Sequence, residues 1–162
     1  MKLRYITLTA LMAALCVIGS FIKIPGFITT AALDSAPAFI SAAFLPPIYA
    51  GLAGLTGHMA TALTSGMPLG PFHFLVAVEM LFIVWGFAVL HRKQRNVLKW
   101  VFLILMNGII APLPFYFLVS PAFYIGAVPS LFVATVINVI ITILVMPFVA
   151  KVGVRVRGGI NA

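Results

Sequence analysis

Two carboxylic acids, Asp34 and Glu79, are the only acidic residues of the chain, and each lies within a long apolar stretch. An ionisable side chain inside a membrane span is costly and usually marks a binding site or a pathway. Asp34 can also be interpreted as a residue at a helix start, where the helix dipole favours a negative charge. Glu79 lies about 10 Å into its apolar segment and has no such explanation. We therefore expect Glu79 to contact a ligand rather than to pair with a histidine or a backbone group, while both interpretations of Asp34 stay open.

Two histidines and two asparagines supply the remaining strongly polar side chains at depth, namely His58, His73, Asn107 and Asn138. Such side chains either contact a ligand or join neighbouring helices by hydrogen bonds. His73 follows a turn-forming segment, residues 66–71, and is expected to face an external vestibule. For His58 the interhelical role is favoured, and for the two asparagines both roles stay open.

Aromatic residues crowd the ends of the same apolar segments: Phe72, Phe115, Tyr116, Phe117, Phe123 and Tyr124. An interfacial belt of aromatic side chains is the general explanation for such a pattern. A planar ligand would need the same ring faces for stacking. Both carboxylates and most of these rings are expected in the external half of the membrane, where Lys23 is the only basic residue. That half suits a neutral or mildly cationic aromatic molecule better than an anion.

Several chemistries are excluded by the residues themselves. The sequence has no phosphate-binding loop of the G-x-x-x-x-G-K-[ST] type, no metalloprotease spacing and no nucleophile elbow. Its single cysteine, Cys16, cannot form a disulfide framework or a Cys-based metal site. We therefore expect no enzyme activity, no cofactor and no bound metal ion.

The composition explains what surrounds these residues. Of 162 residues, 64% are hydrophobic and only 7% are charged, and the mean hydropathy is +1.23. In soluble proteins about a quarter of all residues are charged, so lipid must be the solvent for most of this chain. At roughly 20 residues per span, we expect a single all-α membrane domain over residues 1–162, with no room for a soluble domain.

The basic residues predict the topology. Nine of the ten cluster before the first apolar run, between two later runs and after the last one: Lys2 and Arg4; Arg92, Lys93, Arg95 and Lys99; Lys151, Arg155 and Arg157. Only Lys23 lies elsewhere. Because basic residues accumulate in cytoplasmic loops, both termini and residues 91–99 are expected to be cytoplasmic. An even number of spans is then required, and six fit: about residues 5–22, 30–45, 48–65, 72–90, 97–119 and 129–150.

Two of these spans have unusual composition. Residues 48–65 are rich in small residues spaced four apart, such as Ala53 and Gly57, which predicts a central helix with close neighbours. Pro112 and Pro114 should break the fifth span, and irregular backbone at that depth must be buried or line a cavity. Residues 120–128 are expected to form an external loop, with the last helix beginning at Pro129.

A six-span chain of this size with Ala10-Leu11-Met12-Ala13-Ala14 in its basic first span resembles the substrate-binding S component of energy-coupling factor (ECF) vitamin transporters. Four further segments resemble the branch proposed to import alpha-ribazole, a nucleoside used in cobalamin salvage. They are Ala31-Ala32-Leu33-Asp34-Ser35-Ala36-Pro37, Gly57-His58-Met59-Ala60-Thr61-Ala62-Leu63, Pro68-Leu69-Gly70-Pro71-Phe72-His73 and Asn107-Gly108-Ile109-Ile110-Ala111-Pro112-Leu113-Pro114.

The resemblance implies a multi-pass protein of a prokaryotic plasma membrane that binds a vitamin or a vitamin precursor from outside. It also implies partners, a membrane-embedded coupling subunit and two ATPases, with Ala10 and Ala14 docking on the coupling subunit. The site implied by the resemblance comprises stacking faces from Phe72, Phe123 or Tyr124 and hydroxyl acceptors such as Asp34, Glu79 and Asn107. The polar residues His58, His73 and Asn138 are further candidates on the reasoning given above.

The chain departs from better-known vitamin S components because it has no external arginine or acidic-basic motif. Thiamine, riboflavin or a corrinoid therefore remain alternative substrates. Two alternatives lie outside ATP-driven import. One is a membrane scaffold whose polar residues only pack helices, and the other is a facilitator that works without ATPases.

Overall fold

The computed structural model describes residues 2–23 and 32–158, and the side chains of residues 3–23 and 32–151. This part of the chain is almost entirely helical. The helices are α1 (Lys2–Ser20), α2 (Ala36–Ser41), α3 (Pro47–Thr64), α4 (Phe72–Arg92), α5 (Leu98–Leu105), a π-helix (Met106–Ile110), α6 (Pro114–Leu118) and α7 (Pro121–Gly158).

Four helical stretches in the described residues are long and apolar enough to cross a membrane: Leu3–Ser20, Phe72–Arg92, Leu98–Leu118 and Pro121–Lys151. The all-helical membrane architecture is therefore confirmed. The count of six spans and the cytoplasmic position of both termini stay predictions.

The second expected span is much shorter than a membrane-crossing helix. Residues 30 and 31 lie outside the described part, and within residues 32–45 only Ala36–Ser41 are helical. A helix of six residues rises only about 9 Å. Turns follow it as far as Pro46. The segment ends there because Pro46 and Pro47 lack the N–H groups that would continue a helix. Phe39 and Leu45 are fully buried. This segment is thus an internal wedge between α1, α3 and α7.

α3 packs between α1 and α4, and its small residues make this possible. A Cβ atom added to Gly54 would lie 2.8 Å from Cγ2 of Val84 on α4, and one added to Gly57 would lie 2.8 Å from Cβ of Cys16 on α1. Side chains larger than hydrogen would push the helices apart. The predicted central position of this helix is confirmed.

The fifth expected span is broken, as its prolines predict. α5 passes into the π-helix, where the N–H of Ala111 reaches back to the carbonyl of Met106 at 2.8 Å, and a turn then leads into α6. Pro112 has no N–H to continue a helical ladder. The irregular stretch packs on α7 and lines a cavity.

The last helix begins earlier than expected. α7 starts at Pro121, so the predicted loop 120–128 is helical from its second residue, and Pro129 lies inside the helix. Proline is well tolerated in the first turn of a helix, which makes Pro121 a suitable start. An internal proline in an apolar helix is tolerated because packed neighbours satisfy the freed backbone groups.

Candidate functional site

A cavity of about 90 Å³ lies in the half of the bundle opposite the basic 91–99 turn. Its walls come from the segment before α2, from α3 and α4, from the π-helix and α6, and from α7. Eight polar residues line it: Asp34, Ser35, His58, His73, Glu79, Asn107, Thr135 and Asn138. Six of the eight residues proposed from the sequence therefore meet around one space.

The two histidines of this cavity are hydrogen-bonded to each other. Nε2 of His58 lies 3.2 Å from Nδ1 of His73. The other ring nitrogen of His73, Nε2, accepts the backbone N–H of Leu69 at 3.2 Å. His73 is fully buried, and His58 is half-buried at the cavity wall.

Glu79 places an unpaired oxygen inside the protein. Its Oε2 atom is buried and has no hydrogen-bond partner among the described residues. A buried polar atom without a partner costs free energy and calls for an explanation. A hydrogen-bond donor on a ligand would supply the missing partner.

Glu79 also borders a second space. An apolar groove of about 440 Å³ is lined by residues of α4, the π-helix and α6, including Phe82, Ile110 and Phe117. Glu79 and Ala111 line both the groove and the cavity. These two residues therefore form the partition between a polar interior and an apolar face.

Asp34 lies before α2 and is partly buried. Its Oδ1 atom accepts a hydrogen bond from the hydroxyl of Ser35 at 3.1 Å. Lys23 donates to the hydroxyl of Ser65 at 3.0 Å and forms no salt bridge with Asp34. Asp34 thus keeps acceptor capacity toward the cavity, while its position before α2 also agrees with the helix-start interpretation.

The two asparagines of the cavity differ in whether their side-chain atoms remain available to a ligand. The amide nitrogen of Asn107 donates to the hydroxyl of Thr135 at 2.8 Å. Its side-chain oxygen has no partner in the described part of the chain and can accept from a ligand. Asn138 is fully engaged: its oxygen accepts the N–H of Ala36, and its nitrogen donates to the carbonyls of Ala32 and Ala134. Its role in the structure is to hold α2 to α7.

Two of the three aromatic residues expected to stack on the ligand, Phe72 and Tyr124, do not form the aromatic wall of the cavity. Phe115 and Phe123 line the cavity, whereas Phe72 and Tyr124 do not. Phe72 packs edge-on against Phe115, with ring centroids 5.8 Å apart. The hydroxyl of Tyr124 donates to the carbonyl of Ile109 at 3.3 Å. Phe72 and Tyr124 therefore support the cavity from behind.

Sequence reasoning missed Thr135 as a cavity residue. Thr135 precedes Asn138 by three residues, so both lie on one face of α7, and this spacing was the available signal. A lone threonine in an apolar helix usually bonds its own backbone. Only the approach of Asn107 makes Thr135 part of the site.

Outside the cavity, Ala10 and Ala14 are both exposed on α1, and Leu11 beside them is 53% exposed. This small-residue surface is free within the described chain. No group of three or more His, Cys, Asp or Glu side chains that could hold a metal ion occurs in the part of the chain that the structure describes.

Comparison with known protein families adds one finding. The family described as ECF transporter, substrate-specific component matches residues 4–153. No curated protein and no solved structure matches the chain. The matched range includes every residue that lines the cavity.

Proposed function

The chain belongs to the family of ECF transporter substrate-specific components, and from that premise we propose that it captures alpha-ribazole for cobalamin salvage. Members of this family are substrate-binding membrane subunits rather than enzymes.

The observation that carries the proposal is the chemistry of the cavity wall. It holds two carboxyl groups, and none of its lining residues within the described chain is lysine or arginine. A buried anion requires a cationic or hydrogen-bonding partner, so an anionic vitamin suits this wall poorly. A neutral nucleoside has hydroxyl groups that can donate to Glu79, Asp34 and Asn107.

The aromatic wall supports a planar ligand. Phe115 and Phe123 face the cavity with ring centroids 6.1 Å apart, tilted by 53°. Aromatic faces at such angles favour offset or edge-on contacts with a third ring. The dimethylbenzimidazole of alpha-ribazole is proposed to lie against them.

Binding requires the cavity to widen. Its volume of about 90 Å³ is below the roughly 300 Å³ at which typical ligand pockets begin. The adjoining groove offers about 440 Å³ of apolar space on the other side of Glu79 and Ala111. A rotation of the Glu79 side chain would connect the two spaces and accommodate the methylated rings.

Delivery of the substrate is proposed to use α1. Ala10 and Ala14 are exposed and four residues apart, and small residues at this spacing permit close helix packing in lipid. The chain carries no phosphate-binding loop, so ATP hydrolysis would come from two partner ATPases through a coupling subunit. The prokaryotic plasma membrane is the proposed location.

The family match favours a transport subunit over a scaffold that only packs helices. Thiamine, riboflavin and cobinamide remain the alternative ligands within the same function, because each also offers aromatic or amphipathic groups to the cavity.

The test is calorimetric titration of the purified protein with these four compounds in parallel. We expect a one-to-one isotherm with submicromolar Kd for alpha-ribazole alone. Binding of another compound in its place would overturn the substrate assignment and leave the transport function. Absence of binding by all four would overturn the proposed substrate class.

A further inference from the structure

We infer that His73 holds His58 in the tautomer that carries its proton on Nδ1, so that the cavity presents one fixed hydrogen-bond donor among its acceptors. The ligand must then offer an unprotonated acceptor, a ring nitrogen or a carbonyl oxygen, at His58. This inference rests on the proposed function and specifies the chemistry of the same site. His73 is a positioning residue in this scheme, and His58 is the residue that touches the ligand.

The direction of the hydrogen bonds follows from one backbone group. The N–H of Leu69 can only donate, so Nε2 of His73, 3.2 Å away, must be unprotonated. A histidine without a proton on Nε2 carries its proton on Nδ1. Nδ1 of His73 therefore donates to Nε2 of His58 at 3.2 Å.

The same reasoning then applies to His58. Its Nε2 accepts from His73 and is unprotonated, so the proton of the neutral ring is on Nδ1. His58 forms no other hydrogen bond within the described residues, and its ring lines the cavity. The Nδ1–H group is the donor that remains for a ligand.

Burial makes the arrangement specific. His73 is 0% exposed, so water cannot replace Leu69 or His58 as its partner. A buried ring nitrogen that loses its partner costs the full desolvation penalty. The alternative, with both histidines reversed, would point a protonated Nε2 of His73 at the Leu69 N–H, and two donors would face each other.

Leu69 belongs to a tight loop between α3 and α4 whose backbone is well suited to hold this amide in place. Gly66, Met67 and Gly70 all have positive φ values, of 80°, 52° and 55°. Glycine adopts such values without strain, and the N–H of Gly70 bonds the carbonyl of Met67 at 2.7 Å. The loop therefore presents the Leu69 N–H to His73 from a defined conformation.

The consequence is a complementary pattern of donors and acceptors. Glu79 and Asp34 accept, whereas His58 donates. A heterocycle that is protonated at the nitrogen facing His58 would set N–H against N–H, and a ligand with donors alone would leave the His58 proton unpaired. Sites that hydrogen-bond a polar group reject analogues that lack it. The cavity should therefore select the neutral form of a nitrogen heterocycle.

The first test needs no ligand. In protein labelled with 15N-histidine, the chemical shifts of the ring nitrogens distinguish the two neutral tautomers. We expect a proton on Nδ1 in both His58 and His73, and His73→Leu should convert His58 to a mixture of tautomers. Protonation of His58 on Nε2 in the unaltered protein would overturn the inference, whatever the outcome for alpha-ribazole.

The second test measures recognition of the acceptor. Alpha-ribazole is compared with an analogue in which the unsubstituted ring nitrogen is replaced by CH. We expect the analogue to bind about tenfold more weakly, the usual value of one good hydrogen bond. In His58→Ala this difference should disappear, and in His73→Leu it should shrink, because only part of His58 then carries its proton on Nδ1. An equal loss for both compounds, in variants shown by circular dichroism to be folded, would indicate a purely structural pair and overturn the inference.

His91 provides a matched control. It lies at the other end of α4, where its Nδ1 is 3.2 Å from Nζ of Lys99. His91→Leu should leave the tenfold difference between the two compounds unchanged. If the unaltered protein binds neither compound, the proposed substrate is wrong, and the tautomer measurement still decides the role of His73 separately.

Discussion

Asn138 on α7 anchors the first turn of α2 through Ala36. Its side-chain oxygen accepts the backbone N–H of Ala36 at 2.9 Å, and its nitrogen donates to the carbonyl of Ala32 at 3.0 Å. One side chain thus satisfies backbone groups on both sides of Asp34, across more than a hundred residues of sequence. The position of Asp34 at the cavity therefore depends on α7 as much as on its own segment.

Replacing Asn138 should destabilise the protein. Asn138→Leu removes three hydrogen bonds and leaves the Ala36 N–H buried without a partner, which costs about 1–3 kcal/mol. We expect a lower Tm in detergent, measured by the fluorescence of a thiol-reactive dye or by circular dichroism. Leu144→Ala, at an exposed position of the same helix, is the control. A Tm equal to that of the unaltered protein would show that α2 does not depend on this anchor.

Glu79→Gln should weaken ligand binding by more than tenfold, because a hydrogen bond to a charged acceptor contributes roughly 1.5–3 kcal/mol. The amide keeps the shape of the carboxyl group, so the structure should persist. Calorimetric titration with alpha-ribazole gives the Kd. Val78→Leu, a neighbouring exposed position of α4 that lines neither the cavity nor the groove, should bind normally.

Asp34→Asn tests the second carboxyl group against its helix-start interpretation. If Asp34 accepts from the ligand, the Kd rises more than tenfold, whereas a helix-start role would lower Tm and leave the Kd unchanged. Both quantities are measured on the same preparation. Unchanged affinity in both acid variants would contradict the proposed site.

Ala10→Leu or Ala14→Leu should spare substrate binding and abolish uptake. Both positions are exposed on α1 and neither lines the cavity. A leucine there would prevent close approach of a partner helix. Binding is measured by calorimetry, and uptake is measured in cells that also produce the coupling subunit and ATPases. The matched control is Ala122→Leu, at an exposed position on the first turn of α7. Loss of binding, or normal uptake, would contradict the docking proposal.

Gly54→Ala should loosen the contact between α3 and α4. The added Cβ would lie 2.8 Å from Cγ2 of Val84 and 3.0 Å from the carbonyl oxygen of Met80. Overpacking of this kind costs about 1–3 kcal/mol, so we expect a lower Tm. Thr56→Ala, on the exposed face of the same helix, should change it little. Equal Tm values for the two variants would mean that the helices can separate without cost.

Three residues, Glu79, Phe72 and Tyr124, show what the local sequence can and cannot predict. Glu79 could be recognised from the sequence because a lone acid in an apolar segment has few explanations, and the structure places it at the cavity with an unpaired oxygen. Phe72 and Tyr124 were expected at the ligand, but both lie behind the cavity wall. Sequence position shows that an aromatic residue is near a helix end, but the direction of its ring depends on the neighbouring helices.

By itself, the sequence determined the membrane environment, the helical class, the break at Pro112 and the identity of most polar residues that line the cavity. These properties follow from composition and from the covalent geometry of proline, which act locally. Only the tertiary structure decided that residues 32–45 form a buried wedge and that the side chain of Asn138 bonds the backbone of Ala32, Ala36 and Ala134. It also decided that the N–H of Leu69 fixes the direction of the hydrogen bond between His58 and His73. Each of these depends on which backbone groups meet across distant parts of the chain, because a buried polar group must find its partner wherever the packing of the helices brings one within hydrogen-bond distance.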